Sequence, residues 1–182
     1  AQASNEDCQD CHELDISAYG QSVHGDVECL DCHVGADDRK HRRGLEPVDC
    51  SGCHRRVARA IAAGAHGGVD NGHVEGIELP DCGSCHGDPH VIVPADSTDS
   101  PVHPSRQAAT CAECHQESCR ALAETAHTTA FARLIETNDH FDPECVPCHV
   151  VGFGMEGGYV DPESTPQHLN VTCEACHGPG GL

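Results

Sequence analysis

Large apolar side chains are scarce in this sequence. Its 182 residues include no Trp, one Met, two Tyr and three Phe. This composition is too poor in bulky side chains to fill an ordinary hydrophobic core for a chain of this length. No apolar run approaches the roughly 18 to 20 residues that span a bilayer, so we expect no membrane insertion. Something other than side chains must supply most of the core.

Basic residues are also scarce. Only 10 Lys and Arg stand against 30 Asp and Glu, which gives a formal net charge of −20. A surface without a basic patch does not neutralise phosphates, and this excludes nucleic acid and anionic lipid as partners. Cationic partners, metal ions and mineral surfaces fit the charge. An acidic surface that only keeps the protein soluble fits it equally well.

Cysteine, in contrast, is abundant. Fourteen of the 15 cysteines fall in seven copies of the motif Cys-x-x-Cys-His. Random placement of these residues would produce on the order of 0.1 copies, so the pattern is specified. The motifs are Cys8-Cys11-His12, Cys29-Cys32-His33, Cys50-Cys53-His54, Cys82-Cys85-His86, Cys111-Cys114-His115, Cys145-Cys148-His149 and Cys173-Cys176-His177.

This motif is typical of covalent haem c attachment. Two thiols with two residues between them reach the two vinyl groups of one porphyrin, and the following histidine is the proximal iron ligand. Zinc ribbons also use Cys-x-x-Cys, but they combine such halves in pairs, and seven is an odd number. A disulfide framework gives no reason for the seven histidines. We therefore expect seven haems c.

One haem for every 26 residues predicts the fold class. Porphyrins, which bury much apolar surface and cross-link the chain, form the core. We expect a mostly irregular, loop-rich protein with a few α-helices and little β-structure, which does not fold without haem. Residues 1–182 should form a single haem-packed domain, within which 1–110 and 111–182 are possible subregions.

Two segments have the pattern of helices. Residues 55–66 are rich in alanine, and Gly64 and Gly67 are expected to end that helix. Residues 117–139 carry apolar residues at helical spacing, and His127 is expected to lie on this apolar stripe. The stripe consists of Leu122, Ala126, Ala130, Phe131 and Leu134.

The histidines outside the motifs are candidates for the distal iron ligands. Nine of the 16 histidines lie outside the motifs, and seven irons need seven ligands. The single methionine, Met155, allows at most one His/Met haem, so most or all haems are expected to be bis-histidine. Iron with two imidazole ligands has no open position for a substrate, which favours electron transfer over catalysis. The nine are His24, His41, His66, His73, His90, His103, His127, His140 and His168.

The carboxy-terminal sequence resembles a known family. "HTTAFARLIETNDHFDPECVPCHVVGFG" and "GGYVDPESTPQHLNVTCEACHGPGG" are similar to the multihaem cytochromes c that include the hydroxylamine-linked tetrahaem carriers. The middle of the chain is similar to the repeating units of periplasmic and extracellular multihaem cytochromes.

This resemblance implies distal roles for some of the free histidines. It implies such roles for His24, His66, His90 and His127, with His41 in a role like that of His90. Relatives usually carry a further histidine after "CEACHGPG". Here His140, His168 or a histidine of a neighbouring copy is expected to substitute. His73 and His103 are held in reserve. We expect His24 to serve a motif other than its neighbour at Cys29, with the first motif the nearest choice.

Two arrangements of the protein remain open. The resemblance extends to filament-forming extracellular cytochromes, so the chain is expected to be a filament subunit whose partners are copies of itself. The alternative is a discrete periplasmic shuttle that meets other redox proteins. A multihaem reductase with one open haem is less favoured because all seven motifs end in His. Haem c attachment predicts a secreted protein, periplasmic or extracellular, whose signal peptide is already removed.

Cys119 is the one cysteine outside the motifs. A free cysteine is usually an inert buried thiol. An unpaired cysteine in a secreted chain also suggests an intersubunit disulfide. Both readings are expectations at this point.

Overall fold

Short helices joined by loops make up the protein. The computed structural model describes residues 4–37, 41, 44–67, 79–155 and 157–178. No strand occurs among them, and one isolated antiparallel bridge joins Val150 to Leu169. This confirms the predicted loop-rich fold. The helices are α1 (Asn5–Gln9), α2 (Ile16–Gln21), α3 (Cys29–Cys32), α4 (Arg55–Ala63), α5 (Cys82–His86), α6 (Gln107–Ala123), α7 (Ala130–Thr137) and α8 (Cys173–His177).

Each Cys-x-x-Cys-His motif coincides with a helical turn. Three lie on the short helices α3, α5 and α8, the fifth lies inside α6, and the first begins in α1. The third and sixth lie on 3₁₀ turns at Cys50–Gly52 and Val146–Cys148. A helical turn brings residues three and four apart onto one face, so both thiols point the same way.

Side-chain caps explain why several of these turns begin where they do. The Asp81 carboxylate accepts a hydrogen bond from the backbone N–H of Ser84 at the start of α5. Asp49 does the same for Ser51 in the third motif. Such caps satisfy backbone N–H groups that the first helical turn leaves unpaired. The turns of the sixth and seventh motifs have no side-chain cap within the described residues.

The apolar core lies entirely in the carboxy-terminal part. Phe131 and Leu134 from α7 pack with Val146, Val150 and Tyr159, and each of these side chains is less than a tenth exposed. Before residue 131, no apolar side chain of the described residues belongs to this core. Motif six lies within the cluster, since Cys145 packs against it.

The first predicted helix is confirmed in its position and its end. Residues 55–63 form α4, and the chain leaves the helix at Gly64. The second prediction, a single helix over residues 117–139, is wrong. α6 begins at Gln107 and ends at Ala123, and α7 begins at Ala130.

Threonine side chains cause the break between α6 and α7. The Thr125 hydroxyl donates back to the carbonyl of Leu122 at 2.7 Å and caps a 3₁₀ turn over Ala126–Thr129. Hydroxyl side chains that bond nearby backbone groups compete with a continuing helix. His127 therefore lies in the 3₁₀ turn and is exposed, and it does not lie on an apolar helix face.

Candidate haem sites

The motif cysteines are available for covalent attachment. All fifteen cysteines fall in the described residues, and every one is a free thiol. In six motifs the second cysteine is exposed while the first is half-buried, and in the fourth motif the order is reversed at Cys82 and Cys85. Paired thiols at a surface are what attachment to two vinyl groups requires. No group of three or more His, Cys, Asp or Glu side chains in the described ranges is arranged to hold a bare metal ion.

Four motif histidines face a second histidine at the same distance. A metal bound about 2.0 Å from the nitrogen of each of two imidazoles would place the ring centres roughly 6.3 Å apart. Each observed pair has its ring centres 6.0 Å apart, which fits one iron between the rings. The pairs are His12 with His41, His33 with His90, His54 with His24, and His115 with His66.

The partner in each pair comes from a distant part of the chain. His24 faces His54 of the third motif, which is a motif other than its neighbour at Cys29, as expected, but not the first motif. His90 follows the fourth motif and faces His33 of the second. The four pairs therefore tie together segments that the sequence separates.

Close backbone packing fixes His24 and His66. Each histidine is followed by a glycine, Gly25 or Gly67. A Cβ on Gly25 would lie 2.6 Å from the carbonyl oxygen of Gly20 at the end of α2, and a Cβ on Gly67 would overlap the backbone of Ile61 and Ala62 in α4. Only glycine allows so tight a return onto the preceding helix. The turn that follows each helix thus sets the position of the imidazole.

Hydrogen bonds at Nδ1 orient several of the rings. His149 donates from Nδ1 to the carbonyl of Ala130 at 2.7 Å, and His24 donates to the carbonyl of Pro89 at 3.4 Å. His127 donates to the Thr125 hydroxyl at 3.2 Å, because that hydroxyl uses its own proton on Leu122. A proton on Nδ1 leaves the lone pair on Nε2, the tautomer that binds a metal.

His103 has the opposite arrangement. It is 4% exposed, and its Nδ1 accepts the backbone N–H of Ser105 at 3.2 Å. An Nδ1 that accepts a hydrogen bond leaves the proton of the neutral ring on Nε2. This tautomer does not offer Nε2 to iron, and His103 stays a reserve candidate.

The remaining motif histidines are His86, His149 and His177. Within the described part of the chain they are not among the rings paired at 6.0 Å. His140 and His168 are available to them, and the Nδ1 atoms of both are buried without a hydrogen-bond partner. Burial lowers the pKa of His168, and nearby His103 lowers this pKa further. His73, the other reserve, lies outside the described residues.

Contacts between thiols show which motifs are neighbours. Burial raises the pKa of Cys29, and the hydrogen-bonded Cys8 thiol raises it further. The pKa of Cys50 is raised in the same way by burial and then by Cys82. Burial and the charge of Cys173 raise the pKa of Cys111 to about 11. These contacts join the first motif to the second, the third to the fourth, and the fifth to the seventh.

Two further electrostatic interactions extend this series. Burial raises the pKa of Cys32, and the nearby Cys50 and Cys53 raise it further, so the second and third motifs are adjacent. The pKa of Cys85 is raised by burial, by Asp81 and by Cys114, so the fourth and fifth motifs are adjacent. These interactions link the first, second, third, fourth, fifth and seventh motifs in series, and the sixth motif is not part of this series.

Cys119 lies beside the fifth and seventh motifs. Its thiol donates to the carbonyl of Ala108 at 3.5 Å. Burial raises the pKa of this thiol, and the neighbouring Cys173 raises it further. The side chain is half-buried, so the inert thiol and the intersubunit disulfide both remain predictions.

Two family models match overlapping parts of the chain. Residues 110–178 match cytochrome c554 and c-prime, and residues 34–116 match cytochrome c7 and related cytochrome c. The chain is a multihaem c-type cytochrome. Haem c is the cofactor of this class.

One curated relative shows how far the likeness extends. Cytochrome c-554 of Nitrosomonas europaea is 36% identical over 85 residues, which cover 38% of this chain and 36% of the relative. This chain therefore spans little more than a third of the length of that relative. No solved structure matches the chain. None of the described helices is long and apolar enough to cross a membrane.

Proposed function

We propose that this cytochrome transfers electrons along seven closely packed bis-histidine haems and is not an enzyme. The observation that carries the proposal is the set of four histidine pairs with ring centres 6.0 Å apart. Haem c bound in this way supplies a one-electron iron couple and no vacant coordination position. The polypeptide contributes attachment, axial ligands and the exclusion of competing ligands.

The seven motifs assign the attachment residues. The fourteen motif cysteines hold the porphyrins, and the seven motif histidines are the proximal ligands. His41, His90, His24 and His66 are the distal ligands of the first, second, third and fifth irons. His127, His140 and His168 are the candidates for the other three irons, and the Nδ1 hydrogen bond of His127 supports its place among them.

Ligand replacement tests the assignment. His66→Ala should leave one haem of seven high-spin and able to bind carbon monoxide. His103→Ala is the matched control, since His103 is also a non-motif histidine but holds the tautomer that does not bind iron. It should leave every haem low-spin. A wholly low-spin spectrum for His66→Ala, or a new high-spin haem in His103→Ala, contradicts the assignment. A high-spin haem in the unaltered protein would favour a reductase.

The filament is the arrangement we favour. The interactions between motif thiols link the first, second, third, fourth, fifth and seventh motifs in one series, and this supports a continuous path through the subunit. An electron path that ends at both extremes of a subunit suits end-to-end assembly of copies in a periplasmic or extracellular setting. A terminal haem at each end also allows an intersubunit ligand to complete a site.

Electron microscopy of the purified, haem-loaded protein tests this arrangement. Negative staining should show filaments tens of subunits long. Discrete particles at all concentrations would contradict the filament and favour the periplasmic shuttle, while electron transfer by seven haems would stand. Haem counting by intact mass on the same sample separates the two claims, because it depends on attachment alone.

A further inference from the structure

The turn after the fourth motif supports the distal ligands of two other motifs. Asp88, Pro89 and His90 follow α5 directly. His90 faces His33 of the second motif, and the Pro89 carbonyl accepts the Nδ1–H of His24, which faces His54 of the third. One turn therefore orients imidazoles for two neighbouring irons, provided that the ligand assignment above holds.

The two imidazoles meet different acceptors at this turn. The Nδ1–H of His90 donates to the Asp88 carboxylate at 2.9 Å, and the His90 backbone N–H donates to the same oxygen at 2.9 Å. His24 meets a neutral carbonyl at the longer distance of 3.4 Å. The rings of His127 and His149 likewise face a neutral hydroxyl and a neutral carbonyl. The second iron therefore has a distal imidazole that is bonded to a negative charge.

The surroundings hold this contact in place. The Tyr19 ring lies with its centre 6.3 Å from that of His90, and the Tyr19 hydroxyl donates to the carbonyl of Val27 at 2.6 Å. The backbone N–H of Val23 donates to the carbonyl of Ile92 at 2.9 Å, which ties the segment that carries His24 to the segment that follows His90. The imidazole is half-buried, while the carboxylate remains 59% exposed and keeps its charge in contact with water.

We propose that Asp88 is a positioning residue that lowers the reduction potential of the iron held by His33 and His90. A carboxylate on the second ring nitrogen fixes the tautomer and makes the imidazole a more basic ligand. A more basic ligand and a nearby negative charge both stabilise the ferric over the ferrous state. Pro89 gives the third iron no such charge. Adjacent haems in one electron path are therefore set to different potentials by neighbouring residues.

Asp88→Asn tests the proposal with little disturbance of the fold. The amide oxygen still accepts the two N–H groups, whereas the negative charge is lost. Spectroelectrochemical titration of the haem-loaded protein should show one haem of seven moving to a more positive midpoint. All haems should stay low-spin. Asp96→Asn is the control, because it removes an equal charge from an exposed residue of the following loop.

Two outcomes overturn the proposal. One is a titration curve for Asp88→Asn that shifts no more than that for Asp96→Asn. The other is a high-spin haem in Asp88→Asn, which would give Asp88 a purely structural role. His90→Ala separates these failures from an error in the ligand assignment. If that variant remains wholly low-spin, the pairing of His33 with His90 is wrong, whatever Asp88 does.

Discussion

Two regions of the molecule hold themselves together in different ways. Residues 4–123, the paired region, contain all four histidine pairs. Residues 126–171, the core region, contain every buried apolar side chain of the described residues. The paired region brings distant segments together at positions where a metal would join them. The core region brings its segments together by packing Phe131 against apolar neighbours.

This difference explains the composition of the sequence. A chain with three Phe and no Trp has enough bulky side chains for one small cluster, and it places two of its aromatic rings, Phe131 and Tyr159, in that cluster. The rest of the chain depends on porphyrin for apolar burial and on iron for cross-linking. Stability and electron transfer in the paired region therefore depend on the same groups.

Leaving out haem should have the largest effect on folding, and it should affect the paired region more than the core region. The chain produced in the cytoplasm, where haem c is not attached, should show no cooperative thermal unfolding by circular dichroism, because the paired region has no apolar core of its own. Any residual amide protection should lie in the core region. The haem-loaded protein is the control. A cooperative transition of the haem-free chain with protection in residues 4–123 would contradict this account.

The sequence alone predicts the haem attachment motifs better than it predicts which histidine faces each motif. The motif spacing predicted seven attachment sites, and Gly64 predicted the end of α4. The break at Thr125 carried a local signal, a run of threonine around His127, that the apolar periodicity obscured. The pairing of His24 with His54 carried no local signal, because it depends on how segments thirty residues apart pack through Gly25 and the turn at Pro89.

Truncation of the core should affect the core region alone. Phe131 is 2% exposed, so Phe131→Ala should lower the free energy of unfolding by about 3–5 kcal/mol. The matched control is Phe141→Ala at a ring that is 79% exposed, where we expect a change within about 0.5 kcal/mol. Denaturant unfolding measures both. Equal losses in the two variants would show that the cluster does not stabilise the region.

A single methyl group in the paired region should disturb one haem. In Gly25→Ala the new Cβ meets the Gly20 carbonyl at 2.6 Å, and His24 must shift away from His54. We expect partial high-spin character in one haem of seven by electronic absorption. Gly20→Ala is the control, since a Cβ there has no atom within 4 Å. An unchanged spectrum in Gly25→Ala would mean that the turn does not set the ligand.

The smallest expected effect concerns the caps of the motif turns. Hydrogen bonds from the Ser84 side chain and backbone lower the pKa of Asp81 below its ordinary value. A lowered folded-state pKa means that the carboxylate stabilises the fold above about pH 4 and loses this effect as the pH falls through the folded value.

The Asp81→Ala variant tests the sign of this effect. It should unfold at a slightly lower temperature than the unaltered protein at pH 7, and the difference should shrink below pH 4. Thermal unfolding across this range is the measurement. A difference that grows as the pH falls would contradict the assigned direction.

Anomalous diffraction at the iron absorption edge, on crystals of the haem-loaded protein, tests the central claim most directly. The account predicts seven iron peaks, four of which lie midway between the rings of His12 and His41, His33 and His90, His54 and His24, and His115 and His66. Iron at these motifs without the second imidazole, or fewer than seven peaks, would contradict it.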